Sequence, residues 1–142
     1  MTADDIDAVV VIENAVYSHP WTRGNFLDSL YSGYQAQTLR DESQQLLGYF
    51  LVMLAVEEAH LLNISVAAAH QHQGLGRQLL NRATDVARKH AMRTMLLEVR
   101  ESNVHAIKVY KRYGFAEIGR RKNYYPAADN TREGAIVMSL AL

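Results

Sequence analysis

The stretch from Leu61 to Ala87 constrains the chain more than any other. A β-capable run carrying Leu61, Leu62, Ile64 and Val66 leads into a turn with Gly74 and Gly76. At once Leu75, Leu79, Leu80, Ala83, Val86 and Ala87 follow at helical spacing. Strand, glycine turn and helix N-terminus therefore succeed one another. At such a junction the first amides of the helix lack an intrahelical acceptor and the helix dipole places partial positive charge there, which suits phosphate oxygens. The two glycines also suit a plain tight connection, so the choice of ligand rests on the surrounding pattern. A dinucleotide site wants Gly-x-Gly-x-x-Gly, but the third position holds Leu79. A nucleoside-triphosphate loop wants Gly-Lys-Ser/Thr, but Gly76 is followed by Arg77 and Gln78. What remains is Gln71-x-x-Gly74-x-Gly76.

With 142 residues, 49% of them hydrophobic, the chain is expected to form a single domain over residues 1–142 with a genuine core. Fifteen basic residues balance fifteen acidic ones without a Lys/Arg run, so no nucleic-acid partner is expected. The absence of cysteine excludes disulfides, thiolate metal sites and a covalent cysteine intermediate. The longest apolar stretch, Tyr49 to Val56, is too short to span a bilayer, and the N-terminus lacks a leader pattern. A cytoplasmic protein with no membrane partner is the expectation. Among six histidines only His70 and His72 are close and none forms a His-x-x-x-His pair, so no metal is expected. No feature of the sequence defines an oligomeric state.

Along the chain, Asp4 and Asp5 start a helix to about Val16, His19-Pro20-Trp21 breaks it, and Thr22 caps a second helix. Strands are predicted over 34–40, 46–55 and 59–66, forming an antiparallel meander. A helix to about Lys89 and a strand over 92–99 add a βαβ unit with parallel partners, making the sheet mixed. Ser102 or Asn103 caps a further helix, with Val104, Ile107 and Tyr110 on its buried side and Gly114 at its end. Residues 116–121 read as a strand, Asn123 to Thr131 as a long loop, and 135–140 as a closing strand.

Glu98 interrupts Met95-Leu96-Leu97-Glu98-Val99, a run otherwise suited to burial on both faces. It is either a strand-end carboxylate paired with Arg100 or open to water, or a working group at the carboxyl end of a parallel strand, where ligands bind. Tyr110 lies on the inward stripe of the next helix, either as a core aromatic or as a proton donor. A carboxylate and a phenol side by side suit reactions in which one proton is removed and another supplied.

The Gln71-His72-Gln73-Gly74-Leu75-Gly76 signature resembles the pyrophosphate loop of the GNAT superfamily of acetyl-CoA-dependent N-acetyltransferases. Leu61 to Val66, Leu97-Glu98-Val99-Arg100-Glu101-Ser102-Asn103, Tyr110 to Phe115 and Arg120 to Pro126 narrow the resemblance to the RimI-type family of ribosomal-protein N-terminal alanine acetyltransferases. The resemblance implies an α/β (α+β) GNAT fold, with a mixed, mostly antiparallel sheet, a βαβ unit for acetyl-CoA and helices on both faces. It implies direct transfer to the amine of a ribosomal-protein N-terminal peptide, with Glu98 as general base and Tyr110 as general acid. Ile64, Ser65 and Val66 would hold the pantetheine arm and thioester. His72, Gln73, Gly74, Leu75, Gly76 and Arg77 would hold the pyrophosphate, and Asn103 the cofactor's arm. Alternative outcomes within this resemblance are acetylation of lysine side chains or small amines, or a non-catalytic acyl-CoA-binding module.

Two departures stand out. Family members carry an acidic residue and proline where this chain has Ala67-Ala68-Ala69, which would loosen the mouth of the cradle. They also begin with an extra strand, so the expected sheet is one strand short or the true start lies upstream. For the peptide, the His19 to Trp21 loop and Tyr124 and Tyr125 are the candidate contacts, Trp21 being the sole tryptophan; ordinary loop anchoring is the competing reading.

Overall fold

The two hydrophobic periods in the sequence resolve into one sheet with two covering layers. In the computed structural model, which describes residues 1–142, the strands are β1 (Gln35–Arg40), β2 (Leu46–Leu54), β3 (Glu58–Val66), β4 (Thr94–Arg100), β5 (Ala116–Pro126) and β6 (Arg132–Ala141). They lie in the order β1-β2-β3-β4-β6-β5. Only β3 and β4 are parallel, because α3 (Leu75–Lys89) returns the chain to the start of the sheet; every other pair is antiparallel. The mixed GNAT-type sheet expected from the sequence is the observed one. No helix is long and apolar enough to cross a membrane.

Helices α1 (Ile6–Val16) and α2 (Arg23–Tyr31) cover one face, where Ile6, Val9 and Phe26 pack on Tyr49 and Leu51. On the opposite face Leu80, Ala83 and Ala87 of α3 pack on Phe50, Val52, Met95 and Met138, with α4 (Val104–Tyr113) beside them. Strand β2 is thus buried on both sides, as its unbroken apolar run requires. Truncating the fully buried Leu51 to alanine should cost about 2–5 kcal/mol. The predicted caps are in place: Thr22 Oγ1 accepts from the Asn25 amide at 3.1 Å, and Asn103 Oδ1 from that of Ala106 at 3.2 Å. Gly114 ends α4 at φ 127°, and Phe115 is buried behind it.

One irregularity organises the site. The β2–β3 register slips after Leu51, which faces Asn63, whereas Val52 faces Leu61; Leu62 is the extra residue of a bulge. Its consequence is a change of face. Leu61 packs with the α3 layer, while Asn63 and Ser65 turn their side chains toward α1. The parallel pairing of β3 with β4 also stops at Leu61↔Leu97. Beyond it the two strands separate, leaving an opening at their carboxyl ends.

Two expectations change. Asn123 to Thr131 is not a long loop, because β5 continues to Pro126, with Tyr125 opposite Glu133 and Pro126 opposite Arg132. The strand carries a register shift between Arg121 and Tyr125 and a positive φ at Asn123. As an outer strand β5 tolerates both that irregularity and a proline, the two features that read as loop. Tyr124 and Tyr125 therefore stand on a strand. Val104 is 56% exposed rather than inward. The strand number does not change: the sheet has the six strands predicted, with β1 at an edge, where the amino group of Met1 donates to the Ala36 carbonyl at 3.0 Å.

Candidate active site

The cradle is made of backbone. Helix α3 begins at Leu75 behind Gly74, which adopts φ 82°, and His72 before it also has a positive φ of 62°. The first amide to find an acceptor is that of Gln78, which donates to the Gly74 carbonyl. The amides of His72, Gln73, Gly74, Leu75, Gly76 and Arg77 have none. A run of unpaired donors at a helix N-terminus is what a diphosphate needs. Gln71 does a different job: its Nε2 donates to the Val66 carbonyl at 3.1 Å, closing the turn between β3 and the loop. Arg77 is exposed, with its guanidinium 5.8 Å from the Tyr113 ring centroid.

The opening beside β3 is lined by backbone too. The Ala67 amide donates to the Leu47 carbonyl, so the antiparallel alternation turns the backbone groups of Ser65 and Asn63 toward β2. Those of Ile64 and Val66 face the opening. Gly48, opposite Val66, is required for this geometry: a Cβ there would sit 2.6 Å from the Ser65 carbonyl oxygen and 3.0 Å from Leu79.

On the other side of the opening the chemistry belongs to side chains. Glu98 pairs in register with Val137, and its carboxylate meets Arg121 Nε at 3.2 Å, not Arg100. Arg100 instead pairs with Glu133 at 2.9 Å and lies 4.5 Å over the Tyr125 ring. That arginine and Ser102 hold the Glu133 carboxyl below the usual carboxylate range. The Glu98 carboxylate beside Tyr124 raises its phenol. The rings of Tyr124 and Tyr125 meet edge to face at 5.0 Å. Glu98 and both tyrosines, proposed from separate stretches, are thus brought together.

Tyr110 sits at the same opening from the α4 side. Burial pushes its phenol well above the ordinary range, and Tyr17 and Tyr125 are near enough to push it further. Desolvation likewise raises Tyr17 and Tyr125 to about 12. These phenols keep their protons at neutral pH, the state a proton donor needs. Asn103 spends its side-chain oxygen on the α4 cap, leaving its NH₂ group as the free donor.

Sequence reasoning missed a second polar group. Glu13 is 2% exposed and accepts from the Tyr49 hydroxyl at 2.7 Å, Asn63 Nδ2 at 3.0 Å and the Trp21 amide at 2.9 Å. The signal was present: a carboxylate on the apolar stripe Ile6, Val9, Ile12, Glu13. Trp21 stacks obliquely on Phe26 and lines a cavity of about 340 Å³ with Asn25, Asp28, Ser29 and Tyr34.

Comparison with known proteins agrees with this geometry. The profile of the "Acetyltransferase (GNAT) family" matches residues 6–115. The [ribosomal protein bS18]-alanine N-acetyltransferase of Escherichia coli strain K12 is 36% identical over 138 residues, covering 97% of this chain and 92% of its own length. The protein of the same name from Haemophilus ducreyi is 34% identical, with 97% and 94% covered. The crystal structure of the ribosomal-protein-S18-alanine N-acetyltransferase from Escherichia coli superposes with a TM-score of 0.90 at 35% identity, covering 99% of this chain and 90% of that one.

Proposed function

Because the chain belongs to the GNAT acetyltransferase family, we propose that it acetylates the α-amino group of an N-terminal alanine on a small-subunit ribosomal protein, in the cytoplasm, by direct transfer from acetyl-CoA. The substrate follows from the similarity to the bS18-alanine enzymes, which extends over nearly the whole chain and includes the Leu97 to Asn103 and Arg120 to Pro126 segments around the opening.

The carrying observation is the row of unpaired amides from His72 to Arg77 beside the opening at the end of β3. Acetyl-CoA supplies an activated thioester carbonyl. The loop amides would hold its pyrophosphate, the backbone of Ile64 and Val66 and the Asn103 amide group its arm; Ser65, expected beside them, turns its backbone to β2 and its side chain to Tyr17. The Val66 amide faces the opening, where a donor aimed at a carbonyl oxygen gaining charge lowers the barrier more than it tightens binding. Glu98 takes a proton from the attacking amine, directly or through one water. An α-amino group has a pKa of about 8, so modest help suffices. Tyr110 returns a proton to the departing sulfur. Trp21, Tyr124 and Tyr125 would line the path of the peptide.

Purified protein tests this with three acceptors: an Ala-initiated peptide carrying the ribosomal-protein N-terminus, the same peptide N-blocked, and a polyamine. Acetylation of the first alone is expected. Equal or greater turnover on the polyamine would replace the peptide substrate with a small amine, and absence of any affinity for acetyl-CoA would overturn acetyl transfer altogether.

A further inference from the structure

The carboxyl-terminal half of β3 has a structural problem that the site inherits. From Asn63 to Val66 it is hydrogen-bonded to β2 on one edge and to no strand on the other. A strand half free on one side can rock, yet this half carries the backbone groups that face the opening. Side chains from α1 supply the missing support. The Tyr17 hydroxyl, immediately after α1, donates to the Ile64 carbonyl at 2.8 Å. Ser65 Oγ lies 2.9 Å from that hydroxyl and 3.2 Å from Asn63 Oδ1, and Asn63 Nδ2 donates to the buried Glu13 carboxylate at 3.0 Å.

Glu13 belongs to none of the ion pairs, so its burial is sustained by three hydrogen-bond donors. Those donors come from β2, from β3 and from the loop that holds Trp21. A carboxylate can accept all three, whereas an amide in its place would present two donors of its own to this cluster. The polar chain from Glu13 through Asn63 and Ser65 to Tyr17 ends on a carbonyl in the opening.

Resting on the acetyl-transfer reading, we propose that Tyr17 is a positioning residue, held by Ser65 and, through Asn63, by Glu13, that fixes the orientation of the Ile64 carbonyl and thereby aims the Val66 amide. The geometry links the two groups. The Ile64 carbonyl and the Val66 amide flank Ser65 and point the same way, away from β2, so rotation of one peptide plane carries the other with it. A donor a fraction of an ångström out of place loses its effect on the reaction while still permitting the cofactor to bind.

Tyr17→Phe removes only the hydroxyl and leaves Glu13, with its three donors, intact. The expected result is a fall in kcat of roughly tenfold to hundredfold, with acetyl-CoA affinity unchanged and a thermal midpoint lowered by no more than the loss of one part-buried hydrogen bond. Ser65→Ala should lower kcat in the same direction, and the double variant should be no worse than Tyr17→Phe alone, because the two act as one unit. A kcat equal to wild type for Tyr17→Phe, a rise in KM with kcat unchanged, or fully additive losses in the double variant would overturn the inference while leaving acetyl transfer standing. Absence of turnover by the wild-type chain would overturn both.

Discussion

The two sides of the opening are built from different materials. The cofactor side, from Ile64 through Arg77, is nearly continuous in sequence and presents backbone amides. The acceptor side gathers side chains from β4, β5 and α4, with Glu98, Arg121, Tyr124 and Tyr110 arriving from separate segments. Backbone chemistry depends on φ and on close approach and is largely indifferent to which side chains stand outside. Side-chain chemistry is the reverse. Substitutions should therefore separate the two sides by which kinetic quantity they move.

The largest separation should come from Glu98→Gln. Loss of the general base we propose for Glu98 should cost about 10²–10⁴ in rate, and the loss should appear in kcat while acetyl-CoA binding, followed by calorimetry, stays as in wild type. Weakened cofactor binding in this variant would mean that the two sides are not separable; an unaltered rate would remove Glu98 from the reaction. The mirror experiment is Gly74→Val. At φ 82° a β-branched residue is strained by on the order of 1–3 kcal/mol, and relief of that strain turns the Gly74 and Leu75 amides away. Acetyl-CoA affinity should fall by roughly tenfold, whereas Gln73→Ala, which removes a side chain from the same loop and keeps its amide, should leave it unchanged.

The same difference explains what was legible. A site made of consecutive backbone groups leaves its mark as a local pattern, so Gln71, Gly74, Gly76 and the flanking strand and helix identify the cradle without any tertiary information. Glu98 and Tyr110 were visible as a charge and a phenol on apolar stripes. The partners of Glu98 were not, because the Arg121 contact depends on β6 standing between β4 and β5 in the sheet, an order that chain sequence alone does not dictate. Tyr124 and Tyr125 read as loop because Asn123 and Pro126 are turn-formers, and the pairing with Glu133 and Arg132 overrides that preference. Glu13 was passed over since its value lies in donors up to fifty residues away along the chain. The parallel register that ends at Leu61↔Leu97, and so creates the opening, likewise belongs to tertiary structure, with a bulge at Leu62 that no local motif announces.

A smaller effect should sharpen the acceptor side. Tyr124→Phe removes the hydroxyl beside Glu98 but leaves the Arg121 ion pair, the ring contact with Tyr125 and the guanidinium over the ring. A loss of a few-fold in kcat/KM for the peptide is expected, the effect of taking one polar neighbour from a carboxylate that keeps another partner. The acetyl-CoA affinity should not change. A fall confined to cofactor binding would place Tyr124 on the wrong side of the opening.

The smallest effect concerns pH, and it too divides the two sides, because amides do not titrate and phenols do. Tyr17 and Tyr125 are raised by burial to about 12 from an ordinary 10.0. The folded state therefore holds these protons more tightly than the unfolded chain. Their contribution to stability is complete below pH 10 and is lost as pH rises toward 12, since over that interval the unfolded chain releases protons the folded one retains. Urea midpoints measured from pH 9 to pH 12 should fall across this window in wild type, and Tyr125→Phe should flatten the fall, whatever it does to the midpoint at pH 9. The complementary demand falls on Tyr110: the donor role proposed for it needs a protonated phenol, and burial and its two neighbouring tyrosines push that phenol up. An alkaline limb in kcat below pH 10 that disappears in Tyr110→Phe would show that the phenol is exposed to solvent during turnover. The absence of such a limb, together with a rate lost at every pH in the same variant, is what a desolvated proton donor facing a backbone-held thioester should give.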